Sequence, residues 1–377
     1  MLIDRVDATG LRADGVPHRS LNELQQQELR RFRERIECGI YNEISAEACC
    51  LCGAPDGFLV AEKDRYGLPV KTVVCERCGL VRTYNRLDAA SLGRFYGEQY
   101  RPIYEGALYS SETIQRFLES QFEANHFVSY IGVLKLTSAS IVAEVGACAG
   151  WNLYSFQRRG IAVIGCDLDK EYLEYGRRRG IRLVEGDVKR LIELGVKADL
   201  VIVNHVLEHV ADPIDFLLDL REIVKDEGHV LIGVPGLADV RYGYGDGEFW
   251  GCLQNAHLFF FELWTLRRCM ERAGFGFVDG YEGIQALFRK RPEAGGPRDL
   301  RIRRGERIVK YIRTLRYSEM FWKGVFRLAG GNSATGPGSQ VKRAVYAATH
   351  PRLALGSLTI RLRLRRASVH LARAYEA

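Results

Sequence analysis

Cysteine and histidine, ten and eight residues respectively in this 377-residue chain, are the side chains here most able to hold a metal or move a proton. Cys49-x-x-Cys52-Gly53 is repeated as Cys75-x-x-Cys78-Gly79. Each turn points two thiolates at one centre, and two such turns complete a tetrahedral four-cysteine site. Four thiolates with no open position describe structural Zn2+. A redox role would need one solitary pair beside a βαβ unit. Matching the two turns selects Cys49, Cys52, Cys75 and Cys78 and leaves Cys50 over. Three histidines, His205, His209 and His257, fall in loops, and His209 follows Glu208. A neutral imidazole is the usual side chain for taking a proton near pH 7. A third constellation is EVGACAGWN (144–152). Gly146 and Gly150 permit a tight turn and close ligand approach. Glu144 repels phosphate, so the turn suits a cationic or neutral nucleoside ligand. Asp167, in GCDLD, is placed to accept hydrogen bonds from a ribose diol, and Asp187, in EGDV, to reach an adenine amino group.

The elements around these residues are legible from hydrophobic pattern. IVAEV (141–145), AVIGC (162–166), IRLVE (181–185), DLVIVN (199–204) and HVLIGVP (229–235) read as buried strands. Helical patterns around 151–159, 170–179, 213–225 and 263–274 alternate with them. That alternation means βαβ units and a parallel, doubly wound α/β sheet with helices on both faces. Ligands bind beyond the carboxyl ends of such strands, which points to the turns after 145, 166, 186 and 204. The loop 247–261, GEFWGCLQNAHLFFF, carries His257 between the fifth strand and the next helix. Residues 20–37 read as a polar helix, and 111–136 as a helix with Ile114, Phe117, Leu118, Phe122 and Phe127 near helical spacing.

In order and at these strand ends, the motifs resemble the class I S-adenosylmethionine-dependent methyltransferases. That family's fingerprint is acidic-x-Gly-x-Gly-x-Gly. Here Glu144, Gly146 and Gly150 match, and Cys148 stands at the middle glycine. VLEHV (206–210) matches the family's segment after the fourth strand. The resemblance implies a Rossmann-like fold, S-adenosylmethionine as cofactor, and Glu144, Gly146, Gly150, Asp167, Asp187 and Asn204 as its binding residues. CGLVRTYNRLDAASLGRFYGEQY (78–100) resembles the zinc-binding N-terminal module of a subgroup that methylates nucleotide-linked sugars and related glycans, though its proline is absent. That resemblance implies a carrier-linked sugar as acceptor, with Tyr96, Tyr100 and Asn255 toward it. Helical spacing of Tyr96 and Tyr100 favours plain packing of the helix instead. His257 is the leading candidate for general base or substrate orienter, and a loop-anchoring role is its alternative. His209 and Glu208 are further catalytic candidates, with Glu208 orienting a histidine or the acceptor.

The expected organisation is a helical arm over 1–45, a zinc ribbon over 46–85, a helical linker or cap over 86–139, the methyltransferase domain over 140–290, and a basic, mainly helical extension over 291–377. The start, MLIDRVDATGLRADG, lacks a signal peptide's apolar core, and no long apolar run exists, so a cytoplasmic address is expected, with any peripheral membrane contact left to the basic tail. Residues 293–377 hold 18 Lys+Arg against 5 Asp+Glu, in a chain of net charge +7. Such a tail suits an anionic membrane or polymer. The segment 299–316 puts Ile308, Ile312 and Leu315 on one face, and 330–339 reads as a linker. A nucleic-acid acceptor is the competing reading, but the ribbon (46–82) balances five basic residues against five acidic ones. That balance is poor for phosphate contacts. A non-catalytic scaffold is the third reading, resting on Cys148.

Overall fold

Asn22 caps the first helix, α1 (Glu23–Glu37), and its side chain accepts from Gln25 N at 2.9 Å while Gln25 Oε1 accepts from Asn22 N at 3.2 Å. That reciprocal box satisfies donors the helix would otherwise leave open. The computed structural model describes residues 3–5, 12–124, 127–242, 248–292 and 303–315. The expected linker at 330–339 and the rest of the basic extension beyond residue 315 lie outside them.

A five-stranded sheet carries the cysteine turns. Its order is β1 (Ile3–Arg5), β3 (Gly57–Ala61), β4 (Thr72–Cys75), β5 (Val81–Thr83) and β12 (Phe259–Phe260). A separate pair joins β2 (Glu43–Ser45) to β6 (Asn85–Leu87). β12 comes from the distant loop after His257 and pairs Phe260 with Val81. The second cysteine module and the His257 loop therefore share one sheet. Between ribbon and main domain run α2 (Ala89–Glu98), α3 (Tyr100–Glu105), α4 (Glu112–Glu123) and α5 (Tyr130–Val133). The continuous helix expected over 111–136 is interrupted: α4 ends at Glu123, and Phe127 is left-handed at φ 58°.

The main sheet has seven strands. In chain order its elements are β7 (Ile141–Val145), α6 (Trp151–Gln157), β8 (Ala162–Asp167), α7 (Lys170–Arg177), β9 (Leu183–Glu185), α8 (Val188–Glu193), β10 (Ala198–Asn204), α9 (Pro213–Ile223), β11 (Val224–Gly233), α10 (Phe249–Cys252), α11 (Leu263–Arg272), β13 (Phe275–Gly280) and β14 (Gln285–Lys290). Strand order is β13-β14-β11-β10-β7-β8-β9. β14 is antiparallel to both neighbours, so the sheet is mixed rather than wholly parallel as expected. Val142, Leu200, Val201, Ile202, Val230 and Ile232 are each 0% exposed, as central strands covered on both faces require.

A helix over 305–315 lays Ile308, Ile312 and Leu315 against Val60, Val74, Val81 and Phe260 of the ribbon sheet. The apolar face expected for a membrane is, over this helix, covered by the chain's own sheet. Among the described residues, no helix is long and apolar enough to cross a membrane.

Candidate functional site

The turn after β7 is built from left-handed residues. Gly146 has φ 71°, Cys148 φ 48° and Gly150 φ 77°. Cys148 adopts a left-handed conformation that favours glycine, at a cost of about 1–2 kcal/mol. Its N–H donates to Asp167 Oδ2 at 2.7 Å, and Arg101 Nη2 approaches its sulfur at 3.2 Å. Asp167 Oδ1 accepts from Asp169 N at 2.9 Å. Both oxygens are thus pinned at the end of β8, each with a lone pair left for a ligand. A Cβ at Gly146 would lie 2.2 Å from Val206 Cγ2, so the turn abuts the loop after β10.

Glu144 is 1% exposed. Its Oε1 accepts from Asn152 Nδ2 at 2.6 Å, and Oε2 has no partner among the described residues. Burial pushes this carboxyl up to about 8. Asp187 caps α8, accepts from Lys189 N at 2.9 Å and is exposed. Asn204 ends β10 against Gly233, where a Cβ would lie 2.2 Å from Asn204 Oδ1. Beyond the ends of β10 and β11 is a cavity of about 510 Å³, with Trp151, Asn152, Asn204, His205 and Gly233 in its wall.

The other side of the same loop carries the proton chemistry. Glu208 is 1% exposed, and its Oε2 has no partner among the described residues. His209 Nδ1 lies 2.6 Å from Tyr96 Oη and 2.9 Å from the carbonyl oxygen of Ala256. A carbonyl can only accept, so Nδ1 carries the proton. Burial pulls His209 below its ordinary value, with Glu208 opposing, so its neutral form leaves Nε2 an acceptor. Nε2 is 3.8 Å from Glu208 Oε1. His257 is 4% exposed, stands 4.7 Å from the His209 ring, and has no partner at Nδ1 among the described residues. Burial, with His209 beside it, holds His257 well below the ordinary histidine value. Glu208, His209 and His257 each offer a ligand-capable atom within 4.8 Å of the others'.

Tyr96 and Tyr100 sit at this cluster, with ring centroids 4.8 Å apart and Tyr100 5.8 Å from His209. The two rings therefore pack on each other and on His209. Tyr104 stacks on Tyr100 at 5.4 Å. Asn255 donates its backbone N–H to Asp64 Oδ2 at 3.0 Å, and its side-chain nitrogen has no partner among the described residues. His205 is exposed and left-handed at φ 56°, with Nδ1 3.3 Å from Glu208 Oε1.

The His257 loop is fixed from two sides. Leu258 N donates to Glu208 O at 2.7 Å, and Thr83 Oγ1 of the ribbon donates to His257 O at 2.8 Å. Sequence reading missed Arg65, Tyr66, Tyr104 and Arg101, which line or buttress the chamber without any motif of their own. Asp64 is another, pushed by burial up to about 6 while it accepts from Tyr66 N and Leu68 N.

The four paired cysteines converge. Cys49 and Cys78 sulfurs are 3.5 Å apart, as are those of Cys52 and Cys75, and all four lie within 4.8 Å of one another. Gly53 and Gly79 take φ 70° and 76° to close the turns. Cys50 stays out of the cluster, and burial pushes its thiol up to about 12.

Residues 111–279 match the family model described as a methyltransferase domain. An uncharacterized 37.1 kDa protein in transposon Tn4556 of Streptomyces fradiae is 31% identical over 91 residues, 23% of this chain. The match spans about a quarter of that relative's length, 26%. Among solved structures, a TehB-like S-adenosylmethionine-dependent methyltransferase from Corynebacterium glutamicum aligns over 48% of this chain and 96% of its own, at 16% identity and TM-score 0.37. Magnesium protoporphyrin IX methyltransferase from Synechocystis aligns over 54% and 100%, at 14% identity and TM-score 0.39. Residues 111–279, a little under half of the chain, therefore match a methyltransferase domain.

Proposed function

We propose that the chain methylates a small glycan-type acceptor, a nucleotide- or lipid-linked sugar of surface-polysaccharide synthesis, in the chamber of Tyr96, Tyr100, Glu208, His209 and His257. The observation that carries this reading is a pair of largely buried histidines in contact, His209 on the loop that also touches the Gly146 turn and His257 on the loop before β12. The glycan class rests on the resemblance of residues 78–100. The wall of aromatic rings and unpaired polar atoms is also of the kind that holds sugars.

The residues present fit S-adenosylmethionine. Glu144 offers an unpaired buried carboxylate oxygen toward an ammonium group, and Asp167 offers lone pairs to a ribose diol. When bound, the cofactor supplies an electrophilic methyl carbon. The protein's part is to align the acceptor and remove its proton. His257 Nδ1 takes that proton. His209, oriented by Tyr96 and the Ala256 carbonyl, sits beside Glu208, whose charge stabilises an imidazolium in the pair.

The four thiols fit structural Zn2+. A tetrahedral site with Zn–S of about 2.3 Å sets its sulfurs roughly 3.8 Å apart, close to the 3.5 Å pairs here. Four thiolates so close cannot all ionise without a cation between them.

Isotope-labelled methyl transfer to nucleotide sugars, with binding of S-adenosylmethionine by calorimetry, tests the reading. His257→Gln is expected to lower turnover about 10²–10⁴-fold and to leave cofactor affinity unchanged. A wild-type chain that binds no S-adenosylmethionine would sink the proposal.

A further inference from the structure

A cleft of about 720 Å³ lies between segment 15–21 and α1, with Tyr66 in its wall. Arg19, Arg30, Arg33, His18 and Gln26 are in its wall, and among the described residues none that lines it is acidic. Arg30 and Arg33 are three apart on α1 and so share a face. Neither has a carboxylate partner among the described residues. The wall is held in place from outside. His18 bonds Glu248, and Asp14 pairs with Lys63 at 2.6 Å.

We infer that this cleft binds the diphosphate of an activated-sugar acceptor. Its volume is that of a ligand pocket rather than of a lone phosphate site. Unpaired guanidinium groups on one helix face suit phosphate oxygens through bidentate, charge-assisted bonds. The cleft is joined to the chamber by contacts. Tyr66, in its wall, accepts from Arg65 Nη2 at 2.6 Å. Arg65 lies 5.4 Å from the Tyr104 ring and bonds Gln254 at 2.9 Å, two residues before Ala256. Tyr104 stacks on Tyr100, which reaches His209. A ligand with an anionic half and a neutral sugar half would span basic cleft and aromatic chamber together. The inference deepens the glycan reading and rests on it for the sugar half.

The test is calorimetry on the full zinc-loaded chain with inorganic pyrophosphate, uridine diphosphate, thymidine diphosphate and geranyl diphosphate. At least one is expected to bind, more weakly as salt rises. Arg30→Gln with Arg33→Gln is expected to lose tenfold or more of that affinity and to keep its affinity for S-adenosylmethionine, which shows the variant folded. Tighter binding of a nucleoside diphosphate than of pyrophosphate assigns a nucleotide carrier, and tighter binding of the prenyl diphosphate a lipid carrier. Either supports the cleft. No binding of any probe at millimolar concentration, or equal binding by the double variant, overturns it. The methyl-transfer reading fails separately, if S-adenosylmethionine does not bind.

Discussion

Glu144 is the clearest case of one residue whose chemistry the fold has set. Fully inside the sheet end, it shares one oxygen with Asn152 and leaves the other unpaired. Desolvation raises it to about 8 from an ordinary 4.5. Because the folded value is above the unfolded one, the native state keeps a proton that the unfolded chain has lost. Stability from this group is therefore whole below about pH 4.5 and declines as pH climbs toward 8. Glu144→Gln removes the titration and keeps the shape. Without cofactor, its unfolding temperature is expected to hold up where the wild type's falls, with a gap on the order of 2–4 kcal/mol by pH 8. Above about pH 8, where the wild-type carboxyl is ionised, its affinity for S-adenosylmethionine should meanwhile be about tenfold lower than the wild type's, since a neutral amide cannot form an ion pair with an ammonium group. Parallel stability profiles for the two proteins would mean the carboxyl is already ionised when folded. Glu144, Gly146 and Asp167 could be placed from sequence because strand ends fix them. Arg101, against the Cys148 sulfur, could not, since only the packing of α3 brings it there.

The cysteine turns form the element whose geometry is most local. Each pair is set by its own four-residue turn, which is why spacing alone selected the four thiols that converge and left out Cys50. Cys49→Ser should release the metal, read as zinc per chain after gel filtration, and Cys50→Ser should retain about one equivalent. Metal loss in the Cys50 variant would instead mean that the register of the first turn is wrong. The module is not an appendage, however. Arg272 of α11 donates to the carbonyls of Cys50 and Leu51 at 2.7 and 2.8 Å, so the main domain grips the first turn directly. Other elements escaped the sequence for the opposite reason. β12 is two residues long, and its partners are distant in the chain, Arg82 lying 177 residues before Phe259 and Val81 179 residues before Phe260. The hairpin of β13 and β14, which makes the sheet mixed, follows a helix whose stop glycine reads as the end of the periodic pattern. His209 and Tyr96 are 113 positions apart, and no sequence pattern pairs them.

At the scale of the molecule, ribbon, main sheet and the start of the basic extension act as one positioning device for His257. The ribbon sheet receives β12 on one edge and the helix 305–315 on its face. The extension meets the second cysteine turn backbone to backbone: Arg304 N donates to Arg77 O at 3.0 Å and Gly305 N to Glu76 O at 2.9 Å. The approach is so close that a Cβ on Gly305 would stand 2.6 Å from Glu76 Cα and 2.7 Å from Cys75 O. Those are backbone atoms of the second cysteine turn and cannot swing aside. In an ordinary exposed helix, Gly→Ala stabilises by about 1 kcal/mol. Here Gly305→Ala is expected to reverse that sign, destabilising by about 1–3 kcal/mol through overpacking. It should also speed zinc release to a chelator. Because the same sheet holds the His257 loop through Thr83 and β12, turnover should fall more than affinity for S-adenosylmethionine. Raised thermal stability in Gly305→Ala would instead place residues 305–315 off the ribbon in solution, and with them the coupling of the extension to the acceptor site.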